Sequence, residues 1–299
     1  MRIPFPPSRR GDSGRSGRRS RPAVLLAVAS ILASILLEAS VPVATLGASP
    51  AALPSSIASV GDSITRAFNA GSTAYADYTA GSWATGTDAR VASIYARILA
   101  QDSGISGRNP NHAKSGARVA DLGGQLAVVA TRNVDAVTIV IGGNDVCTSS
   151  ESTMTTVDAF RTSFRTAFDD FTTASPATSL YVASIPSVEL LWSLFKGSST
   201  ARSVWSLFRI CQSMLANPTS TKSADVERRK RVIQREKDFN AILRSTCEAY
   251  VRCRSDADAV FGTSFTTGDI SPRDYFHPSL AGQKRLAAVT WTAWGFGTP

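Results

Sequence analysis

The stretch SVGDSITRAF, residues 59–68, places Ser63 directly after a short apolar run that begins at Ile57. The tripeptide Gly-Asp-Ser has little weight by itself, because it also occurs at residues 11–13, inside an arginine-rich leader. Such a tripeptide most often forms a simple turn. Any function of Ser63 must therefore be inferred from the residues around it and from motifs further along the chain.

The chain alternates between strand-like and helix-like patterns. Apolar, β-branched runs predict buried strands at 57–60, 136–141 and 180–185. Helical patterns occupy 90–101, 118–132, 157–173 and 280–294. Repeated strand and helix predict an α/β fold, with a central parallel sheet covered by helices on both faces. With 43% hydrophobic residues in the chain, residues 49–299 are long enough to form one domain with a full core.

Polar turns that contain glycine follow the first two predicted strands. Ser63 comes just after the first strand, and Gly-Gly-Asn-Asp, residues 142–145, comes just after the second. In open parallel sheets, ligands bind at the carboxyl ends of the strands. The sequence therefore predicts that both turns lie at one edge of the sheet and contribute to one site.

A serine nucleophile needs a base that takes its proton and a third group that holds the base. His277 is the candidate base, because Asp274 precedes it by three residues and can share one face of a turn with it. Pro278 disfavours helical angles at His277, which fits a loop before the last helix. His112 has no carboxylate at such a spacing, so we expect it to be structural or to lie beside the substrate.

Acyl transfer also needs hydrogen-bond donors aimed at the oxyanion that develops on the substrate. The backbone N–H of Ser63, the backbone N–H of Gly116 and the side-chain amide of Asn144 are the three candidates. A glycine at 116 lets the main chain approach the substrate closely, and Asn144 projects from the turn after a strand. Together with a Ser-His-Asp arrangement, these donors predict an acyl-transfer site.

Four blocks of the sequence together resemble the SGNH hydrolases, also called GDSL esterases and lipases. The blocks are GDSIT at 61–65, the glycine of AKSGARVADL at 113–122, IGGND at 141–145 and DYFHPSLAGQKRLA at 274–287. The resemblance implies that Ser63 is the nucleophile, His277 its base and Asp274 the acid that orients the base. It also implies that Gly116 and Asn144 are oxyanion donors, in a three-layer α/β/α sandwich that hydrolyses esters without a metal or cofactor.

Two of these segments also resemble one branch of that family. IGGNDVC at 141–147 and GSWATG at 81–86 are similar to the phospholipase B-like branch. A disulfide between Cys147 and Cys211 also fits that branch. This resemblance favours a lipid or phospholipid ester as the substrate.

Residues 1–48 have the layout of a secretory signal peptide. Seven arginines lie within the first 21 residues, followed by an uncharged apolar run at 23–37 and then by small residues. The apolar run is short for a bilayer-spanning helix, so cleavage is favoured over retention as an amino-terminal anchor. We therefore expect a secreted, monomeric protein whose mature domain begins at about residue 49.

The four cysteines fit an oxidising compartment, where they would form two disulfides with three possible connectivities. The six-residue separation of Cys247 and Cys253 favours a local pair, which leaves Cys147 for Cys211. A zinc site is not expected, because the chain has only two histidines and no Cys-x-x-Cys pair.

The formal net charge of +9 does not predict nucleic-acid binding, because much of it lies in the leader. The dense basic run ERRKRVIQREK, residues 227–237, mixes both signs within a predicted long helix at 224–250. A solvated helix face is the favoured interpretation, and contact with an anionic surface is the alternative.

The segment Trp-Ser-Leu-Phe occurs twice, at 192–195 and 205–208. The two copies either form the walls of an acyl-binding cleft or a flap, or pack into the core as ordinary apolar residues. A flap favours a lipid ester substrate and transient contact with a lipid surface. Core packing leaves a small ester or a carbohydrate O-deacetylase equally open, and a non-catalytic exported binding module is the remaining alternative.

Overall fold

The computed structural model describes residues 53–296, so the predicted leader at 1–48 lies outside the described residues. Its core is a four-stranded sheet whose neighbouring strands are all parallel. The strands, in spatial order, are β1 (Ile57–Gly61), β2 (Ala136–Val140), β3 (Ser179–Val182) and β4 (Cys253–Ser255). Because every pair is parallel, the carboxyl ends of the strands gather at one edge.

Helices connect the strands and cover both faces of the sheet. Before β3, the α-helices are α1 (Ile94–Leu99), α2 (Leu122–Ala130), α3 (Gly143–Val146) and α4 (Val157–Ala174). After β3 come α5 (Val188–Phe195), α6 (Ser199–Leu207), α7 (Gln212–Leu215), α8 (Ser223–Glu248) and α9 (Leu280–Ala293). Within residues 53–296, no helix is both long enough and apolar enough to cross a membrane.

Two hydrophobic cores lie on opposite faces of the sheet. Side chains of α2, α4 and α8 pack on one face, and side chains of α1 and α9 pack on the other. Successive strand residues alternate between the two cores, with Ala58, Val60, Val137 and Ile139 in the first and Ile57, Ala136 and Val140 in the second. The fold is therefore the three-layer α/β/α sandwich that the sequence predicts.

An extended segment that the sequence analysis did not predict runs along the free edge of β1. The backbone N–H of Ser59 donates to the carbonyl of Pro110 at 3.0 Å, and the N–H of His112 donates to the carbonyl of Ser59 at 2.7 Å. The N–H of Lys114 continues this pairing to the carbonyl of Gly61. The segment thereby carries the following turn, with Gly116, to the edge where the strands end.

Several predicted elements are shorter in the structure, among them the helix predicted at 118–132, which spans Leu122–Ala130. The helix predicted at 90–101 begins at Ile94, because Ala92 has a left-handed φ of 49° and the hydroxyl of Ser93 caps the N–H of Ala96. The strand predicted at 180–185 ends at Val182, and the side-chain oxygen of Asn240 accepts the N–H of Ile185 beyond it.

Helix α8 has the solvated face that the charge pattern favours, but two charged residues of the basic run, Arg229 and Glu236, are buried. Glu236 is fully buried, and its carboxylate accepts the N–H of Val188 at the start of α5. Burial raises the pKa of Glu236 well above its usual value. Arg229 is also buried and donates to the carbonyl of Ser220. Within the run at 227–237, the two buried charged side chains therefore hydrogen-bond the backbone of neighbouring segments. Lys230, in the same run, is exposed.

Two disulfides join the four cysteines. Cys147, just after α3, pairs with Cys211, just before α7. Cys247 in α8 pairs with Cys253 at the start of β4. The first bridge fixes the segment before α7 to the turn after β2, next to the carboxyl edge of the sheet.

Candidate active site

Three predicted site residues form a continuous hydrogen-bonded line at the carboxyl edge of the sheet. The Nε2 atom of His277 lies 2.9 Å from the Oγ atom of Ser63. The Nδ1 atom of the same ring lies 2.7 Å from Oδ2 of Asp274. Ser63 and Asp274 are buried, and His277 is half-buried. Residues more than two hundred positions apart thus meet with the geometry that a serine nucleophile and its base require.

The carboxylate of Asp274 is held by four donors. Its Oδ1 atom accepts the backbone N–H groups of Phe276 and His277 at 2.9 and 3.0 Å. Its Oδ2 atom accepts the side-chain amide of Asn69 in addition to the imidazole. Burial acts to raise the pKa of Asp274, but the hydrogen bonds from His277 and Asn69 outweigh it and lower the pKa below its usual value. The group is therefore an ionised acceptor at neutral pH, suited to orient the ring.

The turn that carries His277 is fixed by packing as well as by hydrogen bonds. Tyr275 has a left-handed φ of 53°, and its carbonyl accepts the indole N–H of Trp205 at 3.1 Å. The rings of Phe68 and Phe276 lie 4.9 and 5.0 Å from the imidazole, measured between centroids. The ring is thus enclosed on two sides, which limits its rotation away from Ser63.

Two glutamine side chains hold the backbone around Ser63. Gln125, on α2, accepts the N–H of Gly61 at 2.7 Å and donates to the carbonyl of the same residue at 2.9 Å. Gln283, on α9, donates to the carbonyl of Ile64 at 2.8 Å. Helices from both layers therefore fix the turn of the candidate nucleophile. Neither glutamine is predictable from the sequence, because a glutamine in a helix carries no local signal of such a contact.

The predicted oxyanion donors lie around one cleft. Ser63, Gly116 and Asn144 all line it, together with the imidazole of His277. Within residues 53–296, neither the N–H of Ser63 nor that of Gly116 donates to a protein acceptor. One N–H of the Asn144 amide donates to the carbonyl of Ala117 at 2.9 Å, which fixes the side chain and leaves its second N–H available.

Gly116 and Gly142 both need glycine for their backbone conformation. Gly116 has a φ of +83°, although a Cβ atom there would meet no atom within 4 Å. Gly142 has a φ of +114°, and a Cβ atom there would lie 2.6 Å from the side chain of Ile185. Gly116 therefore lets the chain turn sharply just before Ala117, and Gly142 lets it turn sharply two residues before Asn144.

Two further carboxyl groups are buried beneath the site. Asp62 accepts the N–H of Ile64 at 2.9 Å, while Asp145 accepts the N–H of Val119 and the hydroxyl of Thr155. Burial raises the pKa of Asp62 to about 7. Burial also raises the pKa of Asp145. Asp62 is therefore partly protonated near neutral pH. The tripeptide Gly-Asp-Ser alone does not predict that the carboxyl group of Asp62 is buried.

His112 lies apart from these groups. It lines neither of the two clefts that meet at Ser63, and its Nε2 atom is buried without a hydrogen-bond partner. Burial lowers the pKa of His112, and the positive charge of Arg132 adds to this effect. In the described part of the chain, no three His, Cys, Asp or Glu side chains cluster as metal ligands would.

Two clefts meet at Ser63, Asn144 and His277. The first cleft encloses about 680 Å³, counting space open to solvent, and has mainly apolar walls. Helix α5 supplies much of its wall through Leu190, Leu191 and Leu194, and Phe265 and Ile270 also line it. The second cleft is more open, encloses about 820 Å³ and is bordered by Tyr75, Ser115, Gly116, Phe208 and Ile210.

The two Trp-Ser-Leu-Phe segments combine both predicted roles. Phe195 and Trp205 are buried in the core, as the core alternative predicts. Leu194 lines the first cleft, and Phe208 lines the second. Each segment therefore anchors one aromatic side chain in the core and presents another apolar side chain to a cleft beside Ser63.

Comparisons with known proteins agree with this fold and these motifs. Residues 57–289 match the family described as GDSL-like lipase/acylhydrolase. Comparison with curated protein sequences gives no match.

Solved structures provide more distant similarities. A protein from Parabacteroides merdae described as a GDSL-like lipase gives a TM-score of 0.51 at 16% identity, covering 81% of this chain and 95% of that chain. An extracellular lipase from Streptomyces rimosus gives 0.47 at 20% identity, with coverages of 80% and 99%. A catalytic mutant of an acetylxylan esterase from Geobacillus stearothermophilus gives 0.49 at 15% identity, with coverages of 81% and 94%.

At these identities the similarity concerns the fold alone, and of the three structures only the first exceeds a TM-score of 0.5. The resemblance to the phospholipase B-like branch stays a prediction. The match over residues 57–289 covers most of the chain and includes all four sequence blocks. The chain belongs to the GDSL-like lipase/acylhydrolase family, that is, to the SGNH hydrolases.

Proposed function

We propose that the chain is a serine esterase that hydrolyses carboxylic esters through an acyl-enzyme. The observation that carries this proposal is the hydrogen-bonded line from the Oγ atom of Ser63 through the imidazole of His277 to the carboxylate of Asp274. A binding module has no need of a buried serine, a base and an orienting carboxylate in this geometry. The non-catalytic alternative is therefore disfavoured.

In the proposed reaction, the Oγ atom of Ser63 attacks the ester carbonyl carbon while Nε2 of His277 takes the hydroxyl proton. The C–O bond to the alcohol then breaks, and the imidazolium gives its proton to the leaving oxygen. Water, deprotonated by the same ring, then attacks the acyl carbon of the acyl-enzyme. The bond from that carbon to Oγ of Ser63 breaks, the imidazolium returns its proton to Oγ, and the acid leaves. Asp274 remains ionised throughout and stabilises the imidazolium.

The negative charge that develops on the carbonyl oxygen needs donors that are already in place. We propose the N–H groups of Ser63 and Gly116 and the amide of Asn144 for this role. Their shared position on one cleft and the absence of a protein acceptor for the two N–H groups within residues 53–296 support it. The hydrogen bond from Asn144 to Ala117 supports it too, since it orients the amide before substrate binds.

The first cleft favours an ester with a medium or long acyl chain. Its wall of Leu190, Leu191 and Leu194 is apolar, and each methylene group that leaves water for such a wall gains about 0.8 kcal/mol. An acetyl group would leave most of that wall unfilled. We therefore place the acyl chain in the first cleft and favour a lipid ester over an acetylated carbohydrate.

Secretion forms part of the proposal. The two disulfides, which persist in oxidising compartments, support an extracellular protein.

A series of p-nitrophenyl esters from acetate to palmitate tests the proposed activity. The wild-type protein should hydrolyse the series with a preference for longer chains, and Ser63→Ala should hydrolyse none. Ser106→Ala is the control, because Ser106 is an exposed serine that lines neither cleft. A wild-type protein without turnover would contradict the enzyme proposal, and turnover confined to acetate would contradict the lipid ester.

A further inference from the structure

Exposed apolar side chains concentrate at the mouth of the second cleft. On the part of the chain that the structure describes, the exposed large hydrophobic residues are Tyr75, Val128, Leu207, Phe208 and Val251. Tyr75 and Phe208 line the second cleft, and their ring centroids lie 5.4 Å apart. Leu207 precedes Phe208 and is 76% exposed, although it lines neither cleft. We name Tyr75, Leu207 and Phe208 the apolar rim.

The structure holds the rim in this exposed position. Trp205, two residues before Leu207, is buried in the core and anchors the end of α6. Beyond Phe208, the side-chain amide of Gln212 donates to the carbonyls of Trp205 and Ile210. The disulfide at Cys211 then ties the segment to the turn after β2. Leu207 and Phe208 are thus presented to solvent by a segment with fixed ends.

The two segments that contain the rim carry little charge, and the acid that follows the first of them, Asp77, is paired with Arg66. Residues 69–76 contain no ionisable acid or base except the phenol of Tyr75, and residues 204–210 contain the single charge of Arg209. Arg209 is exposed and has a left-handed φ of 52°. An exposed apolar surface without acidic residues favours insertion among acyl chains, and an exposed arginine beside it suits the phosphate of a lipid headgroup.

We propose that the apolar rim is a docking site for an aggregated lipid surface, into which Leu207 and Phe208 insert. The rim is continuous with the cleft that contains Ser63, so docking would place the mouth of the cleft against the lipid. Lipid esters could then reach Ser63 without crossing water. The delivery of substrate to Ser63 rests on the proposed esterase function. The docking of the rim on a lipid surface requires no turnover.

A lipid surface fits this position better than a protein partner does. Tyr75 and Phe208 border the second cleft, so a protein or a second copy of the chain seated on them would obstruct access to Ser63. A fluid lipid surface would instead supply substrate to the same opening.

A fluorophore that responds to polarity tests the docking locally. Nitrobenzoxadiazole is attached to Leu207→Cys or, as the control, to Val251→Cys in the full-length chain, and phosphatidylcholine vesicles are added. Val251 is fully exposed and precedes β4, so it lies at the opposite edge of the sheet from Ser63. Both proteins share residues 1–52, which cannot account for a difference between the two labels.

We expect a blue shift and a rise in emission at position 207 and no change at position 251. Emission at 207 that stays unchanged with vesicles would overturn the proposal. A shift at 207 that depends on protein concentration without vesicles would also overturn it, because the rim would then contact a second copy of the chain.

A kinetic comparison with Leu207→Ser separates docking from catalysis. The rate on an ester embedded in phosphatidylcholine vesicles is divided by the rate on soluble p-nitrophenyl butyrate. We expect this ratio to fall about tenfold in Leu207→Ser, as for one leucine that no longer leaves water, and to stay unchanged in Val251→Ser. If the ratio of vesicle to soluble rate were equal in the two variants, the docking proposal would be overturned. If the wild type did not hydrolyse the soluble ester, the proposed function would be contradicted instead.

Discussion

The side-chain amide of Asn69 donates a hydrogen bond to Asp274, 205 residues further along the chain. Asn69 has a left-handed φ of 60°, and its own amide oxygen accepts the N–H of Tyr75. The hydroxyl of Ser271 donates to the carbonyl of Asn69 at 2.8 Å. The loop after Ser63 and the loop before His277 are therefore joined through the carboxylate of Asp274.

Replacement of Asn69 by alanine should slow the reaction without unfolding the protein. Loss of the amide removes one donor to the buried carboxylate of Asp274, so we expect kcat to fall by about tenfold, the cost of one hydrogen bond to a charged group. Asn133→Ala is a matched control, because Asn133 is exposed and has a similar φ of 50°. Equal kcat values for the two variants would show that Asn69 does not position Asp274.

Replacement of Asn144 by alanine should lower kcat by about 10²-fold, as for the loss of one oxyanion donor. The thermal unfolding transition should change little, because Asn144 is half-buried and lies in the short helix α3. Steady-state kinetics on p-nitrophenyl butyrate and circular dichroism provide the two measurements. An unchanged kcat would remove Asn144 from the proposed oxyanion site.

Replacement of Asp62 by asparagine should change how stability depends on pH. The pKa of Asp62 is about 7 in the folded protein, against 3.8 for an unperturbed carboxyl group. The folded state therefore holds an additional proton between these values. The stability that this proton provides is fully present below pH 3.8 and is lost as the pH rises through 7, by up to about 4 kcal/mol.

An amide at position 62 cannot ionise, so Asp62→Asn should lack this loss. Urea unfolding from about pH 4 to about pH 8 should show its stability relative to wild type rising steadily. Glu236 and Asp256 also have a raised pKa, but they are present in both proteins and contribute equally to both curves. The negative charge of Asp145 adds to the raised pKa of Asp62, so the difference reports Asp62 in the presence of that charge. The exposed Asp170→Asn should follow the wild-type curve. Parallel curves for Asp62→Asn and wild type would contradict the burial argument.

Replacement of Leu194 by tryptophan should shorten the preferred acyl chain. Leu194 lines the first cleft, so a larger side chain there would occupy space that a long chain needs. We expect kcat/KM to fall for palmitate esters and to change little for butyrate esters. Val128→Trp, on the exposed surface of α2, should leave the profile unchanged. A profile that Leu194→Trp does not alter would place the acyl chain elsewhere.

Much of the fold could be predicted because its signals are local. The runs that form β1 and β2 are mainly apolar, with one small polar residue each, Ser59 and Thr138, and the last helix follows a clear Ser279 cap. Strand β4 was missed because Cys-Arg-Ser contains no apolar run, and its strand conformation depends on pairing with β3. The extended edge before Gly116 was missed for the same reason.

The motifs brought Ser63, His277 and Asp274 to attention because each lies in a recognisable block. The residues that hydrogen-bond to the site from elsewhere in the chain lie in no recognisable motif. Asn69 acts through a left-handed turn and a partner far along the chain, and Gln125 acts from α2 on the end of β1, 64 residues away. Contacts of this kind depend on the folded arrangement of distant segments, which local patterns do not encode.

Covalent labelling with a fluorophosphonate tests the central claim most directly. The reagent reacts with a serine that a neighbouring base activates, and peptide mass spectrometry identifies the modified residue. We predict one adduct, on the peptide that contains Ser63, with none on Ser13 and almost none in His277→Ala. The absence of an adduct, or an adduct on another serine that persists in His277→Ala, would contradict the assignment of Ser63 and His277 as nucleophile and base.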